Sequence, residues 1–116
     1  MTSNIILPDK LLVKELEGKE YIMATDEGEA ISIGCGYYYA KRKPANIYIS
    51  ADGFMNALNA ITSLVIPEKI PMNIFVSIGR TEPQHMVATY LVPKIIALIK
   101  QQDETEGLHF QFIKKE

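Results

Sequence analysis

Residues 25–39 read TDEGEAISIGCGYYY, and we expect the rest of the chain to be organised around them. Acidic residues stand where a helix would begin: Asp26, Glu27 and Glu29. Because carboxylates suit the positive end of a helix dipole, this pattern predicts a helix over 27–39. Its apolar residues occupy most of the circumference, which is typical of a helix buried on more than one face. Gly34 and Gly36 lie inside it, and each costs roughly 1 kcal/mol against alanine. We therefore expect another helix, a second subunit or a ligand to approach the backbone there.

Short strands and helical patterns alternate along the chain. β-Branched and aromatic residues predict strands at 4–7, 21–25, 46–50, 73–78 and 108–113. Apolar residues at helical spacing predict helices between the first two strands and over 54–65. We expect a turn at 51–53 and a polar loop at 79–85. Pro93 should begin a new helix after a short one at 86–91, because its ring would break a continuous helix.

The alternation predicts the architecture. Strands separated by helices favour parallel pairing and right-handed crossovers. We therefore expect an α/β fold of three layers, α/β/α, around a mostly parallel sheet of five or six strands, in a single domain over 1–116. The apolar run 73–78 predicts a strand inside the sheet that is covered on both faces. The alternating run 108–113 predicts an edge strand.

Composition argues against several classes of protein. The formal net charge is −2 and no face is basic, so we expect no nucleic-acid partner. The sequence has no signal-peptide pattern and no segment of membrane-spanning length, which favours a cytoplasmic protein. The only two histidines, His85 and His109, are far apart and suggest no transition-metal site. Cys35, the single cysteine, lies on an apolar helix and is expected to be a buried hydrophobe.

Three polar clusters follow predicted strands: Asp26 with Glu27, Asp52 with Gly53, and residues 80–85. In parallel α/β sheets ligands bind at the carboxyl ends of the strands, so we expect these clusters to share one edge. The sequence contains no GxGxxG, GxxxxGK[ST] or GxSxG pattern. Dinucleotide, nucleoside-triphosphate and α/β-hydrolase functions are therefore disfavoured.

The same clusters resemble the pyrimidine-binding (PYR) module of thiamine diphosphate enzymes, closest to the phosphonopyruvate and sulfopyruvate decarboxylases. The matching runs, in order, are DEGEA (26–30), GFMNALNAITSL (53–64), KIPM (69–72) and EPQH (82–85). In addition, LPD at 7–9 is similar to the family's Gly-Val-Pro-Asp turn. The resemblance covers nearly the whole chain and implies the thiamine diphosphate-binding fold.

The resemblance implies roles on the cofactor side of a site. Glu27 would be the glutamate that hydrogen-bonds a ring nitrogen of the aminopyrimidine and exchanges a proton with it. Gly53 would allow close approach to the pyrimidine. Asp52 departs from the small polar residue of the relatives and would add a charge near that ring. Glu29 is expected to be structural, and an acid that merely stabilises a helix start is the simpler interpretation of Glu27 itself.

On the substrate side the resemblance implies that His85, with Gln84, lies near the substrate or the reacting carbon. Asp9 would point into the same cavity and contact substrate. From the residues alone, a lone loop histidine is more often exposed to solvent, and Asp9 could be an exposed first-turn acid. The loop 80–82 is shorter than in phosphonopyruvate decarboxylases, so the identity of the 2-oxo acid is not implied.

The family's Gly-Asp-Gly segment with a following Asn-rich run, which binds Mg²⁺ and the diphosphate, has no counterpart in this sequence. The resemblance therefore implies half of an active site. The chain would be one subunit of a thiamine diphosphate-dependent 2-oxo acid decarboxylase, inactive alone. A separate diphosphate-binding subunit would ligate Mg²⁺. Gly34 and Gly36 would let the central helix pack against its counterpart across the subunit interface of a homo- or hetero-oligomer.

Other functions remain open at this stage. The complex could join two carbonyl fragments, as a carboligase, instead of releasing an aldehyde. The chain could be a non-catalytic interaction module that keeps the fold. It could also be an unrelated small α/β binding domain in which acidic helix starts have no special role.

Overall fold

The computed structural model describes the backbone of residues 2–7 and 10–114, and the side chains of 2–7 and 12–114. Five strands and four α-helices alternate in this part of the chain, with one π-helix after the third α-helix. The elements are β1 (Asn4–Ile6), α1 (Lys10–Glu15), β2 (Ile22–Met23), α2 (Glu27–Lys41), β3 (Ala45–Ser50), α3 (Ala51–Ala60), the π-helix (Ile61–Val65), β4 (Met72–Ile78), α4 (Pro83–Lys100) and β5 (Leu108–Lys114).

The strands form one sheet in the order β2-β1-β3-β4-β5, and every neighbouring pair is parallel. The predicted α/β fold with a parallel sheet is thus confirmed, with five strands in the described residues. β4 lies inside the sheet and β5 at its edge, both as expected. No helix in the described part of the chain combines the length and apolar character needed to cross a membrane.

Helices lie on both faces of the sheet, as a three-layer fold requires. On one face Ile47 of β3 and Ile74 of β4 belong to a large core with residues of α2, α3 and α4, among them Phe54. On the other face Leu12 of α1 belongs to a smaller core with Tyr48 of β3. The second core is small because α1 has only 6 residues.

β4 is fully covered on one face only, which corrects the expectation of cover on both. Ile74 is buried in the large core, whereas Asn73 and Phe75, which alternate with it, are half-buried. Phe75 is covered in part by the ring of Tyr48, stacked with a centroid distance of 4.5 Å. Since α1 reaches the sheet at β1 and β3, the second face of β4 keeps contact with solvent.

Two predicted loops belong to helices. Residues 51–53 form the first turn of α3, because the Ser50 hydroxyl accepts a hydrogen bond from the Gly53 N–H (3.1 Å) and so caps the helix directly after β3. Pro83, Gln84 and His85 form the first turn of α4, where the fixed φ of proline suits a helix start.

Pro93 does not begin a new helix: α4 continues through it from Pro83 to Lys100. A proline inside a helix removes one backbone hydrogen bond. Val92 and Ile96, on either side of this position, are both buried in the large core. Their packing anchors the two halves of α4 to the sheet and offsets the lost bond.

The two glycines of α2 have different surroundings. A Cβ built at Gly34 would lie 2.8 Å from Ile47 Cδ1 and 2.9 Å from Met72 Cε, so a side chain at residue 34 would have to displace these two buried groups. This corrects the expectation that Gly34 faces another subunit. A Cβ built at Gly36 would meet nothing within 4 Å in the described residues, and Gly36 is exposed.

This difference predicts opposite effects of alanine at the two positions. Gly36→Ala should raise the free energy of unfolding by about 0.5–1 kcal/mol, because it gains helix propensity in open space. Gly34→Ala should lower it by up to about 2 kcal/mol, since overpacking costs about 1–3 kcal/mol and exceeds the same gain. Urea denaturation of the two variants measures both effects. Equal stabilisation by both would show that α2 does not lie so close to the sheet.

Cys35 is 4% exposed, and burial raises the pKa of its thiol from 9.0 to about 11. Between about pH 9 and pH 11 the thiol of the folded state therefore keeps a proton that the thiol of the unfolded state loses. The resulting stabilisation, about 2–3 kcal/mol for two pH units, is complete below about pH 9 and is lost as the pH rises towards 11. Urea denaturation across this range should show a steeper loss for the wild type than for Cys35→Ala. Equal slopes would contradict the assignment.

Candidate functional site

The carboxyl ends of the strands bring three helix starts together. β3 and β4 end level with each other, with Ser50 paired to Ser77. α3 begins at the next residue after β3, and α4 begins after the short segment 79–82. α2, which begins at Glu27, packs against α3 in the same layer. The helix starts that carry Glu27, Asp52 and His85 therefore lie at this edge.

Glu27 is held over the start of α3. Its Oε1 accepts a hydrogen bond from Asn56 Nδ2 (3.2 Å). A Cβ built at Gly53 would lie 2.6 Å from Glu27 Cδ, so the carboxylate occupies the space that only a glycine leaves. Glu27 is half-buried and Gly53 is buried. In this chain the space beside Gly53 is filled by Glu27, and the close approach of a pyrimidine ring to Gly53 stays a prediction.

The sequence did not identify Asn56 as a partner of Glu27. The spacing could have predicted this contact, because Asn56 follows Gly53 by three residues on one helix and the two therefore lie on the same face. An amide donor beside a carboxylate oxygen fixes how that carboxylate is oriented.

His85 and Asp52 form the second contact of the site. The carboxylate oxygen Oδ2 of Asp52 lies at hydrogen-bonding distance of Nδ1 of His85, and the two side chains are 34% and 20% exposed. The sequence had placed Asp52 beside a cofactor ring and His85 beside a substrate, without joining them. The structure brings them together although they are 33 residues apart.

The backbone around His85 is held in the first turn of α4. The His85 N–H donates to the Glu82 carbonyl (2.8 Å), and the His85 carbonyl accepts from the Thr89 hydroxyl (3.1 Å). Arg80 and Glu82, in the segment before the helix, form an ion pair at 3.8 Å and are each about 40% exposed. Because that pair is solvated, it contributes little to stability.

The other acids of α2 are used locally. Asp26 caps the helix by accepting from the Glu29 N–H (2.8 Å). The Glu29 carboxylate accepts from the backbone N–H (3.0 Å) and the hydroxyl (2.9 Å) of Thr25. Glu29 therefore has a structural role, as the sequence predicted.

Two predicted substrate residues are not joined to these contacts. Gln84 is exposed in the first turn of α4, and Asp9 lies outside the described residues.

The sequence did not single out the hydroxyl of Ser77, which lies near the carboxyl end of β4. Ser77 is 3% exposed, and its Oγ has no hydrogen-bond partner among the described residues.

Comparison with known proteins adds no family assignment. A scan against protein-family models gives no match, and a search of curated proteins gives no significant match.

The contact between Glu27 and Gly53 predicts a coupling between two substitutions. Gly53→Ala should lower the free energy of unfolding by about 0.5–1.5 kcal/mol, because the new methyl group displaces the Glu27 side chain from its hydrogen bond with Asn56. In a Glu27→Ala background the same change should cost little, since the space is then free. Urea denaturation of the two single variants and the double variant gives the coupling energy, expected at about 0.5–1.5 kcal/mol. Additive effects would rule out the contact.

Proposed function

We propose that this chain is the pyrimidine-binding subunit of a thiamine diphosphate-dependent 2-oxo acid decarboxylase of the sulfopyruvate and phosphonopyruvate type. It would act with a separate diphosphate-binding subunit that ligates Mg²⁺. The observation that carries the proposal is the Glu27 carboxylate, held at the carboxyl edge of a parallel sheet against Gly53. Both residues stand in the sequence runs that resemble the family.

The donor set at this edge fits an aminopyrimidine. A carboxyl group can donate a proton to a ring nitrogen or accept one from it. Asn56 holds Glu27 Oε1, which leaves the rest of the carboxyl group to face a ligand once the side chain moves off Gly53. Gly53 would then offer the ring close access to the start of α3. When bound, thiamine diphosphate supplies the carbon nucleophile and the electron sink for loss of CO₂.

His85 supplies the other half of the proposed chemistry. It lies on the first turn of α4, next to Gln84, and its ring is 20% exposed. An imidazole at this position can bind the substrate or move a proton near the reacting carbon. Gln84, being exposed, would contact the 2-oxo acid directly, and Asp9 is proposed to do so from the segment after β1.

The proposal also needs an interface. Three exposed residues of α2 recur at helical spacing and form one outward stripe: Ser32, Gly36 and Tyr39. A stripe with a glycine at its centre allows close approach of another helix. We propose that a second subunit packs here, in a cytoplasmic hetero-oligomer without nucleic acid or membrane partners.

The partner can be identified directly. Affinity capture of the tagged full chain from its native host, followed by mass spectrometry, should recover a protein with a Gly-Asp-Gly segment and a downstream Asn-rich run. The purified pair should bind thiamine diphosphate with Mg²⁺ and release CO₂ from one of a panel of 2-oxo acids. Recovery of a partner without that segment, together with no cofactor binding, would favour the interaction module instead.

Glu27→Gln in the reconstituted pair tests the assigned residue. The amide keeps the size of the side chain but cannot exchange the proton, so kcat should fall by about 10²–10⁴-fold while the subunits still assemble. Steady-state CO₂ release and size-exclusion chromatography measure the two quantities.

Glu29→Gln is the matched control, because Glu29 lies on the same helix and its carboxylate is hydrogen-bonded to Thr25. It should change stability slightly and leave kcat near the wild-type value. A wild-type kcat in Glu27→Gln, or an equal loss of kcat in both variants, would contradict the role proposed for Glu27.

A further inference from the structure

We infer that Asp52 is a positioning residue that holds His85 in the tautomer protonated on Nδ1, so that Nε2 is the proton-transferring atom of this site. The tautomer rests on the geometry of the chain alone. The proton transfer rests on the proposed function.

The assignment follows from the chemistry of the contact. An ionised carboxylate only accepts hydrogen bonds, so the proton between Asp52 Oδ2 and His85 Nδ1 belongs to the imidazole nitrogen. In a neutral ring the lone pair is then on Nε2. Asp52 stands in the first turn of α3, where the partial positive charge of the helix start lies beside its carboxylate.

Both side chains come from backbone that is fixed locally. The Ser50 cap holds the turn that carries Asp52. Hydrogen bonds to Glu82 and from Thr89 hold the turn that carries His85. The pair is therefore set by two helix starts on adjacent strands, and the ring keeps a solvent-accessible edge.

The pair can take up a proton without creating a net charge. When Nε2 accepts a proton, the resulting imidazolium faces the Asp52 carboxylate, and the two charges compensate each other. The proton, taken up from solvent, can then be passed to the carbanionic carbon that remains when CO₂ leaves the substrate. Loss of CO₂ from a 2-oxo acid consumes one proton in this way, so the proposed substrate class has a use for such a group.

The alternative is that the contact is an ion pair that forms only with the charged imidazolium and ties α3 to α4. Such an ion pair would be lost when the ring is neutral, and so it would not set the tautomer. NMR separates the two roles, because long-range ¹⁵N–¹H correlations of histidine rings distinguish Nδ1–H from Nε2–H. His109, the only other histidine, is exposed on β5 and serves as the reference in the same spectrum.

The experiment uses the full chain with ¹⁵N-labelled histidine, in alkaline buffer where imidazoles are neutral. His85 in the wild type should show the Nδ1–H pattern, while His109 shows the mixture of a solvated ring. In Asp52→Ala the His85 pattern should move towards that of His109. Glu68→Ala, which removes an exposed acid away from both histidines, should leave it unchanged. An Nε2–H pattern in wild-type His85, or no change in Asp52→Ala, would overturn the inference.

The wild-type spectrum decides the tautomer even if Asp52→Ala folds poorly, and Asp52→Ser then serves as the second variant. In the reconstituted pair Asp52→Ala should lower kcat by about tenfold or more with KM nearly unchanged. An Nδ1–H pattern in a complex with no 2-oxo acid activity would support the positioning role while rejecting the proposed function. An active complex in which neither tautomer nor kcat depends on Asp52 would reject the positioning role alone.

Discussion

β3 and β4 pair along six consecutive residues, from Ala45 with Met72 to Ser50 with Ser77, and this pairing sets the geometry of the site. Because the strands are parallel and end level, the chain leaves both at one edge. α3 starts at once and α4 after four residues, and both helices lie on the same face of the sheet. Their first turns are consequently neighbours, which is why Asp52 and His85 can meet.

Several carboxylates lie at this edge, and the helix dipoles offset the repulsion between them. Asp26, Glu27 and Asp52 each lie at or within the first turn of a helix, where backbone N–H groups present partial positive charge. The acids nevertheless differ in use. Asp26 accepts a backbone hydrogen bond of its own helix, whereas Glu27 and Asp52 reach side chains of other elements. Proximity in sequence therefore does not imply a shared role.

The sequence predicted the positions of the strands along the chain and their parallel pairing, since hydrophobic patterns mark strands and helices and the alternation of the two favours parallel pairing. It failed where tertiary packing overrides a local rule. Pro93 stays inside α4 because Val92 and Ile96 are buried on either side. For the site, helix starts could be predicted from acids and glycines, but not the pairing of Asp52 with His85, because no local pattern encodes a contact across 33 residues.

The solvent exposure of Asp52 and Glu27 indicates what a second subunit would contribute to the proposed complex. Asp52 is 34% exposed, and Glu27 is half-buried, so water still screens both charges in the isolated chain. Carboxylate and imidazole groups act most strongly on a substrate when water is excluded. On α4, beyond His85, large apolar side chains such as Val87 and Tyr90 are exposed, and such a surface suits contact with another protein. In the proposed complex this chain orients the reacting groups, and the subunit that covers them supplies the desolvation they lack.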